Sequence, residues 1–203
     1  MSVHPLDSAG LMLPEASWPA GREAPGALEL LRRFCNSTNP EVGSERFRDA
    51  DQLDGWLVSE GLDAVRADRA GLRRVIRFRG EVQLLAIANR DRRHDPEALA
   101  ALAASVGAGS LRVIADRRGL VLTAGSRSVS GLLAHLASII VIAQADGTWP
   151  RIKACSNNHC RWMFYDHSKN INGAWCSMKA CGQRHKAREY RTRRSASDSV
   201  TSS

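Results

Sequence analysis

Cys155-Ser-Asn-Asn-His-Cys160, fifteen further residues, then Cys176-Ser-Met-Lys-Ala-Cys181: the rest of the chain is read from this stretch. Each C-x4-C loop can fold both of its sulfurs onto one ion, and the fifteen intervening residues let the two loops face each other. This spacing predicts a single tetrahedral zinc held by Cys155, Cys160, Cys176 and Cys181. Four thiolates fill the coordination shell and leave no position for water or substrate. The expected metal is therefore structural, and no enzyme activity is expected of it. His159, His167 and His185 lie nearby, but the paired spacing favours the four cysteines as ligands.

The charge is concentrated at the same end. Residues 1–150 hold 18 basic and 18 acidic side chains, whereas residues 151–203 hold 11 and 3, so the whole net charge of +8 lies in the last quarter. A neutral body with a basic end suits a polyanion partner. Zinc with four thiolates contributes a local charge of about −2, which makes the module less basic than its side chains suggest. At 43% hydrophobic, 203 residues are enough for one medium domain and a small module. The start of the chain has neither the basic nor the apolar region of a signal peptide. The most apolar segment, Gly131 to Ala145, is fifteen residues, shorter than the roughly 20 that a membrane span needs. The expectation is a cytoplasmic protein with reduced thiols and no membrane partner.

The expected fold class is mainly α (α+β): a helical N-terminal domain with one β-hairpin, followed by a small four-cysteine zinc finger. Residues 1–26, with four prolines, read as an irregular segment in which Trp18 docks on the body. A helix from Ala27 places Leu28, Leu31, Phe34 and Cys35 on one face and ends before Asn39-Pro40. Cys35, far from any histidine in sequence, is expected to be a core residue. Asp51 or a neighbour caps a helix through Leu53, Trp56 and Leu57 that stops at Gly61. Asp63 is expected to cap a long helix reaching Ala88, with Arg66, Arg69, Arg73, Arg74, Arg77 and Arg79 on its solvated faces. Asp95-Pro96-Glu97 opens another helix that ends at Gly107. The period then changes to two: Leu111–Asp116 and Leu120–Ala124 form a hairpin across Arg117-Arg118-Gly119. Ser128 or Ser130 starts an apolar helix that ends at Asp146-Gly147 and contains His135, expected to be a buried, satisfied imidazole. Thr148-Trp149-Pro150 is read as a stiff hinge into the metal module.

About 45 residues from Arg151 to Arg194 build little hydrophobic core, with Trp162, Phe164, Trp175 and Ile152 as a small cluster, so metal binding supplies much of the folding free energy. After Gly182 no helix breaker occurs through Arg194, and a helix there places Arg184, Arg188 and Arg191 on one face. The candidate phosphate contacts are Arg184, Lys186, Arg188, Arg191, Arg193 and Arg194, with Arg161, Lys169 and Lys179 as a second patch. Ser195 to Ser203 reads as a disordered tail.

Trp149-Pro-Arg-Ile-Lys-Ala-Cys155, Cys160-Arg-Trp-Met-Phe164, Asp166-His-Ser168, Trp175-Cys176-Ser-Met and Cys181-Gly-Gln-Arg184 together resemble the CGNR zinc finger. Leu28-Glu-Leu-Leu-Arg-Arg-Phe34-Cys-Asn36-Ser-Thr38, Trp56-Leu57, Gly61-Leu62, the hairpin and the apolar helix are similar to the ABATE domain that precedes this finger in bacterial proteins. The resemblance implies a bacterial, stress-linked transcription regulator with a proposed DNA-binding role. Two positions depart from the family pattern. Gln183 stands where the finger's namesake tetrad has Asn, and Asn172-Gly173-Ala174 stands where arginines are frequent.

The resulting domain reading is an irregular segment (1–26), an ABATE-like domain (27–148), a CGNR-type finger with its basic helix (149–194) and a tail (195–203). The finger would bind DNA, and the helical domain would sense a small-molecule effector or form a homodimer. Two alternatives stand beside this: a zinc-stabilised module that docks a protein partner, and RNA binding with Trp162, Trp175 and Tyr190 stacking on bases.

Overall fold

The computed structural model describes residues 22–117 and 119–200. The irregular segment expected over residues 1–26 falls mostly outside them, Trp18 included. The chain is mainly α, with three two-stranded antiparallel sheets among the described residues and a four-cysteine cluster near its C-terminal end. In order, the elements are α1 (Leu28–Cys35), β1 (Thr38–Asn39), β2 (Ser44–Glu45), α2 (Ala50–Ser59), α3 (Arg69–Asp91) and α4 (Pro96–Val106). There follow β3 (Leu111–Asp116), β4 (Gly119–Ala124), α5 (Val129–Ala145), β5 (Ile152–Ala154), β6 (Met163–Tyr165) and α6 (Gln183–Val200).

Helix α3 is the axis of the core. Its buried stripe, Leu72, Val75, Phe78, Val82, Leu85 and Ala86, keeps the i, i+3/i+4 rhythm of one helix face. The helix packs against α1, α2, α4, α5 and β5. Phe34, Phe47, Trp56 and Phe78 form an aromatic cluster with ring centroids 5.4–6.2 Å apart. Burial of each such side chain contributes about 1.5–3 kcal/mol. Cys35 lies in this core, and burial pushes its thiol far up, so it is an inert packing residue as expected.

The helix starts at Asp95-Pro96 and Ser128 are as the sequence predicts: Asp95 accepts from Ala98 N–H and Ser128 from Gly131 N–H. The α2 cap is Asp49, a neighbour of Asp51, and it accepts from Gln52 N–H. The α3 start differs from expectation. Asp68 caps the helix, and Leu62 to Ala67 are non-helical. The reason is Asp54 on α2, whose carboxylate accepts from Val65 and Arg66 N–H and pins them in a turn, with Arg66 at φ 46°. Asp63 instead pairs with Arg127. Arg79 is not on a solvated face either. It is buried, donates to Ser37 Oγ and both Glu45 oxygens, and lies over the Phe47 ring. The β1–β2 pair, unforeseen as strands, brings Glu45 to it. Burial alone would raise the Glu45 carboxyl, but Arg79 and the Phe47 N–H outweigh it and hold it low.

The expected hinge is a folded corner. Thr148 donates to Asp146 Oδ1 through both N–H and Oγ1, Trp149 is buried, and Asn89 Nδ2 donates to both Trp149 O and Ile152 O. His135 is half-buried, burial pushes its imidazole below its ordinary value, and its Nδ1 has no hydrogen-bond partner among the described residues, so it is not the satisfied imidazole expected. Among the described residues, no helix is long and apolar enough to cross a membrane.

Candidate metal centre and nucleic-acid interface

The finger begins on the body. β5 and β6 pair as Ile152↔Tyr165, Lys153↔Phe164 and Ala154↔Met163, and all six residues are buried. Strand side chains alternate between faces. Ile152, Ala154, Met163 and Tyr165 therefore join the core of the helical body, while Phe164 packs with the cysteines, Trp162 and Trp175. Ile152, expected in the finger's own cluster, belongs to the body. The side chain of Asn36, just after α1, acts as a third strand: Nδ2 donates to Met163 O (2.9 Å) and Oδ1 accepts from Met163 N–H (2.8 Å). From the end of α3, Arg90 donates to Cys155 O, and Arg92 to Asn170 O and Ile171 O.

Lys153 turns into the finger. Its Nζ donates to Asp166 Oδ2 (2.8 Å), Ile171 O (2.7 Å) and Gly173 O (3.4 Å). Asp166, fully buried, also accepts from the N–H groups of Ser168 (3.0 Å) and Gly173 (2.7 Å). Burial would raise the Asp166 carboxyl, but Lys153 and these donors overcome it and hold it far below the usual carboxylate range. A Cβ at residue 173 would stand 2.8–2.9 Å from the Asp166 carboxylate, so glycine is required there. This gives one of the departing positions, Gly173, a structural task.

Both C-x4-C loops are set by short turns. In the first, Asn157 O accepts from Cys160 and Arg161 N–H, and Arg161 takes φ 50°. In the second, Ser177 Oγ accepts from Ala180 N–H and Ser177 O from Gly182 N–H, closing a wide turn, Met178–Gly182, that runs directly into α6. The four sulfurs lie within 4.8 Å of one another and are buried. Two of their separations, Cys160–Cys176 at 3.8 Å and Cys176–Cys181 at 3.7 Å, match the edge of about 3.8 Å that a tetrahedron with 2.3 Å metal–sulfur bonds requires.

The electrostatics call for a cation. Hydrogen bonds to Cys160 and then Cys176 push the Cys155 thiol down, while those same contacts push Cys160 and Cys176 up. Crowded thiols resist further ionisation by one another, and a dication removes that resistance. Asn157 Nδ2 stands 3.8 Å from Cys181 Sγ and orients a ligand from outside the shell. The donor set, burial and spacing fit one structural zinc ion at Cys155, Cys160, Cys176 and Cys181. The histidines lie elsewhere: His159 is exposed, His167 bonds Glu23 O, and His185 stacks on Trp175.

Helix α6 leaves the metal turn with Arg184, Lys186, Arg188 and Arg191 exposed, and Arg161, Lys169 and Lys179 are exposed on the finger. Arg193 and Arg194 lie on α6, with their side chains outside the described residues. The helix runs to Val200, past the Arg194 limit set from sequence and into the expected tail. Arg184 pairs with Glu41, on the turn between β1 and β2. Gln183 is exposed and makes no side-chain hydrogen bond among the described residues. Sequence reasoning missed Asn36, Asn89, Asn157 and the Lys153–Asp166 pair. Asn36, Lys153 and Asp166 stand in the stretches that carry the family resemblance, but nothing there shows the bonds they make.

Comparison with known families agrees with this geometry. The CGNR zinc finger model matches residues 151–194. The ABATE model, described as "Putative stress-induced transcription regulator", matches residues 24–145, more than half of the chain. No curated protein matches. The chain thus belongs to the ABATE family and continues into a CGNR zinc finger.

Proposed function

We propose that this protein binds DNA to control transcription in the bacterial cytoplasm, through recognition and without catalysis. The observation that carries this reading is the root of α6: an exposed basic helix leaves directly from Cys181, on a metal-fixed turn clamped to the helical body. Arg184, Lys186, Arg188, Arg191, Arg193 and Arg194 neutralise phosphates, and Arg161, Lys169 and Lys179 extend the contact. The helical domain senses an effector or dimerises, and its hydrogen bonds to the finger pass the change on. The closed sulfur shell supports a structural metal.

Fluorescence anisotropy with duplex DNA over a salt series tests this. Affinity falls steeply with salt, and the triple change R184A/R188A/R191A flattens the log–log slope by about 0.9 for each phosphate that is no longer neutralised. Salt-insensitive or absent binding, together with a stable complex with another protein, would overturn it in favour of partner docking.

A further inference from the structure

Helices α3 and α4 leave an open groove of about 330 Å³ between them. Its lining is Arg74, Arg77 and Glu81 from α3 and Ala101, Ala104 and Ser105 from α4. The spacing on α3 puts the three charged groups on one stripe, and the small side chains of α4 leave the volume unfilled. Glu81 is only 9% exposed, and its Oε2 is buried with no hydrogen-bond partner. Neither Glu81 nor Arg77 forms an ion pair among the described residues. Arg74 is positioned by Ser105 O (3.3 Å) and Ser130 Oγ (3.1 Å), with further donors left over. A buried carboxylate oxygen without a hydrogen-bond partner is costly, so its retention beside an open groove points to a partner from outside.

We infer that this groove binds a small zwitterion of the free α-amino acid class. The ligand's ammonium meets Glu81, its carboxylate meets Arg77 and Arg74, and its side chain lies along Ala101 and Ala104. Arg77 and Glu81 are i, i+4 neighbours, with Cβ atoms about 5–6 Å apart. Two opposite charges one carbon apart bridge that interval, whereas a simple anion or cation answers only one side. The same helix α3 holds the finger through Asn89, Arg90 and Arg92, so a ligand seated on it acts on the element that positions α6. Naming this ligand the effector rests on the regulator reading above, but its binding is measured without DNA.

The test is thermal melting of the full chain with free glycine, alanine, leucine, glutamate and arginine, each beside its N-acetyl and amide forms. At least one free amino acid raises the melting temperature in a concentration-dependent way, and its blocked forms do not. Glu81→Gln and Arg77→Gln lose that response. Glu81→Gln without ligand melts at or above the wild type, because the buried, unpartnered carboxylate oxygen is gone. No response to any free amino acid, equal response to the blocked forms, or an undiminished response in Glu81→Gln overturns the site. A melting response with unaltered DNA affinity keeps the site and sinks its effector role. A response in a chain that binds no DNA keeps the site and sinks the regulator reading instead.

Discussion

Two hairpins of this chain have opposite fates. The short one, β5–β6, has three residues per strand and buries all six. The long one, β3–β4, has six per strand and keeps its apolar face in solvent, with Val113 63% and Leu120 79% exposed. Register places Leu111, Val113, Ala115, Leu120, Leu122 and Ala124 together on that face, while Arg112 and Thr123 turn toward α5. A lone two-stranded hairpin is marginal in water. β5–β6 is secured by a metal at its loop end, where Cys155 and Cys160 lie between the strands, by Asn36 pairing along β6 and by the body core beneath it. Strand length therefore says little about which hairpin is structural here; what closes its edges and ends says more.

The largest way to break the comparison is to remove the metal. Because Ile152, Ala154, Met163 and Tyr165 share a core with Phe34 and Phe78, chelation or Cys176→Ser should lower the melting of the whole chain rather than of a separate finger. The loss should be several kcal/mol, bounded by the roughly 10–16 kcal/mol of structural zinc in isolated finger peptides. Circular dichroism with and without a strong chelator measures it. A body melting unchanged by chelation would show that the short hairpin is not shared core.

Next comes the buried pair between β5 and the residue just after β6. Lys153→Met leaves Asp166 buried with its charge unmatched, at a cost of about 3–5 kcal/mol. Asp166 is held below its unfolded value, so its contribution is present above about pH 4 and lost as pH falls through the folded value. Thiolate protonation also releases metal in acid. The difference between wild type and variant isolates the pair: the acid transition of Lys153→Met should start at higher pH. Identical acid midpoints would count against the pair as a support of the finger.

Asn36→Ala removes both hydrogen bonds to Met163 and strands a buried N–H and a buried C=O. A loss of about 2–4 kcal/mol in urea unfolding is expected. A loss below about 1 kcal/mol would mean that β6 is held by packing alone.

Much of this was legible in sequence and some was not, for identifiable reasons. The cysteine loops were legible because metal geometry limits ligand spacing. The starts of α4 and α5 were legible because Asp95 and Ser128 cap them locally. The start of α3 was not, since Asp54, more than ten residues upstream, holds Val65 and Arg66 out of the helix. Nor was the corner at Trp149, which depends on Asn89 sixty residues away. The register of β3–β4 was readable from alternation, but alternation defines two faces without saying which one is covered.

That last point sets the smallest prediction. Leu120→Thr on the long hairpin puts a β-branched side chain in a strand position and removes an apolar group that the fold does not bury. The expected change in unfolding free energy is within about 0.5 kcal/mol, read from the urea midpoint at low protein concentration. Repeating the measurement across protein concentration makes it decisive. A face left in solvent yields the same midpoint at every concentration, whereas a face covered by a second copy makes stability rise with concentration in the wild type and not in the variant. The second result would turn the contrast between the hairpins into a contrast of partners: one covered by its own body, the other by another chain.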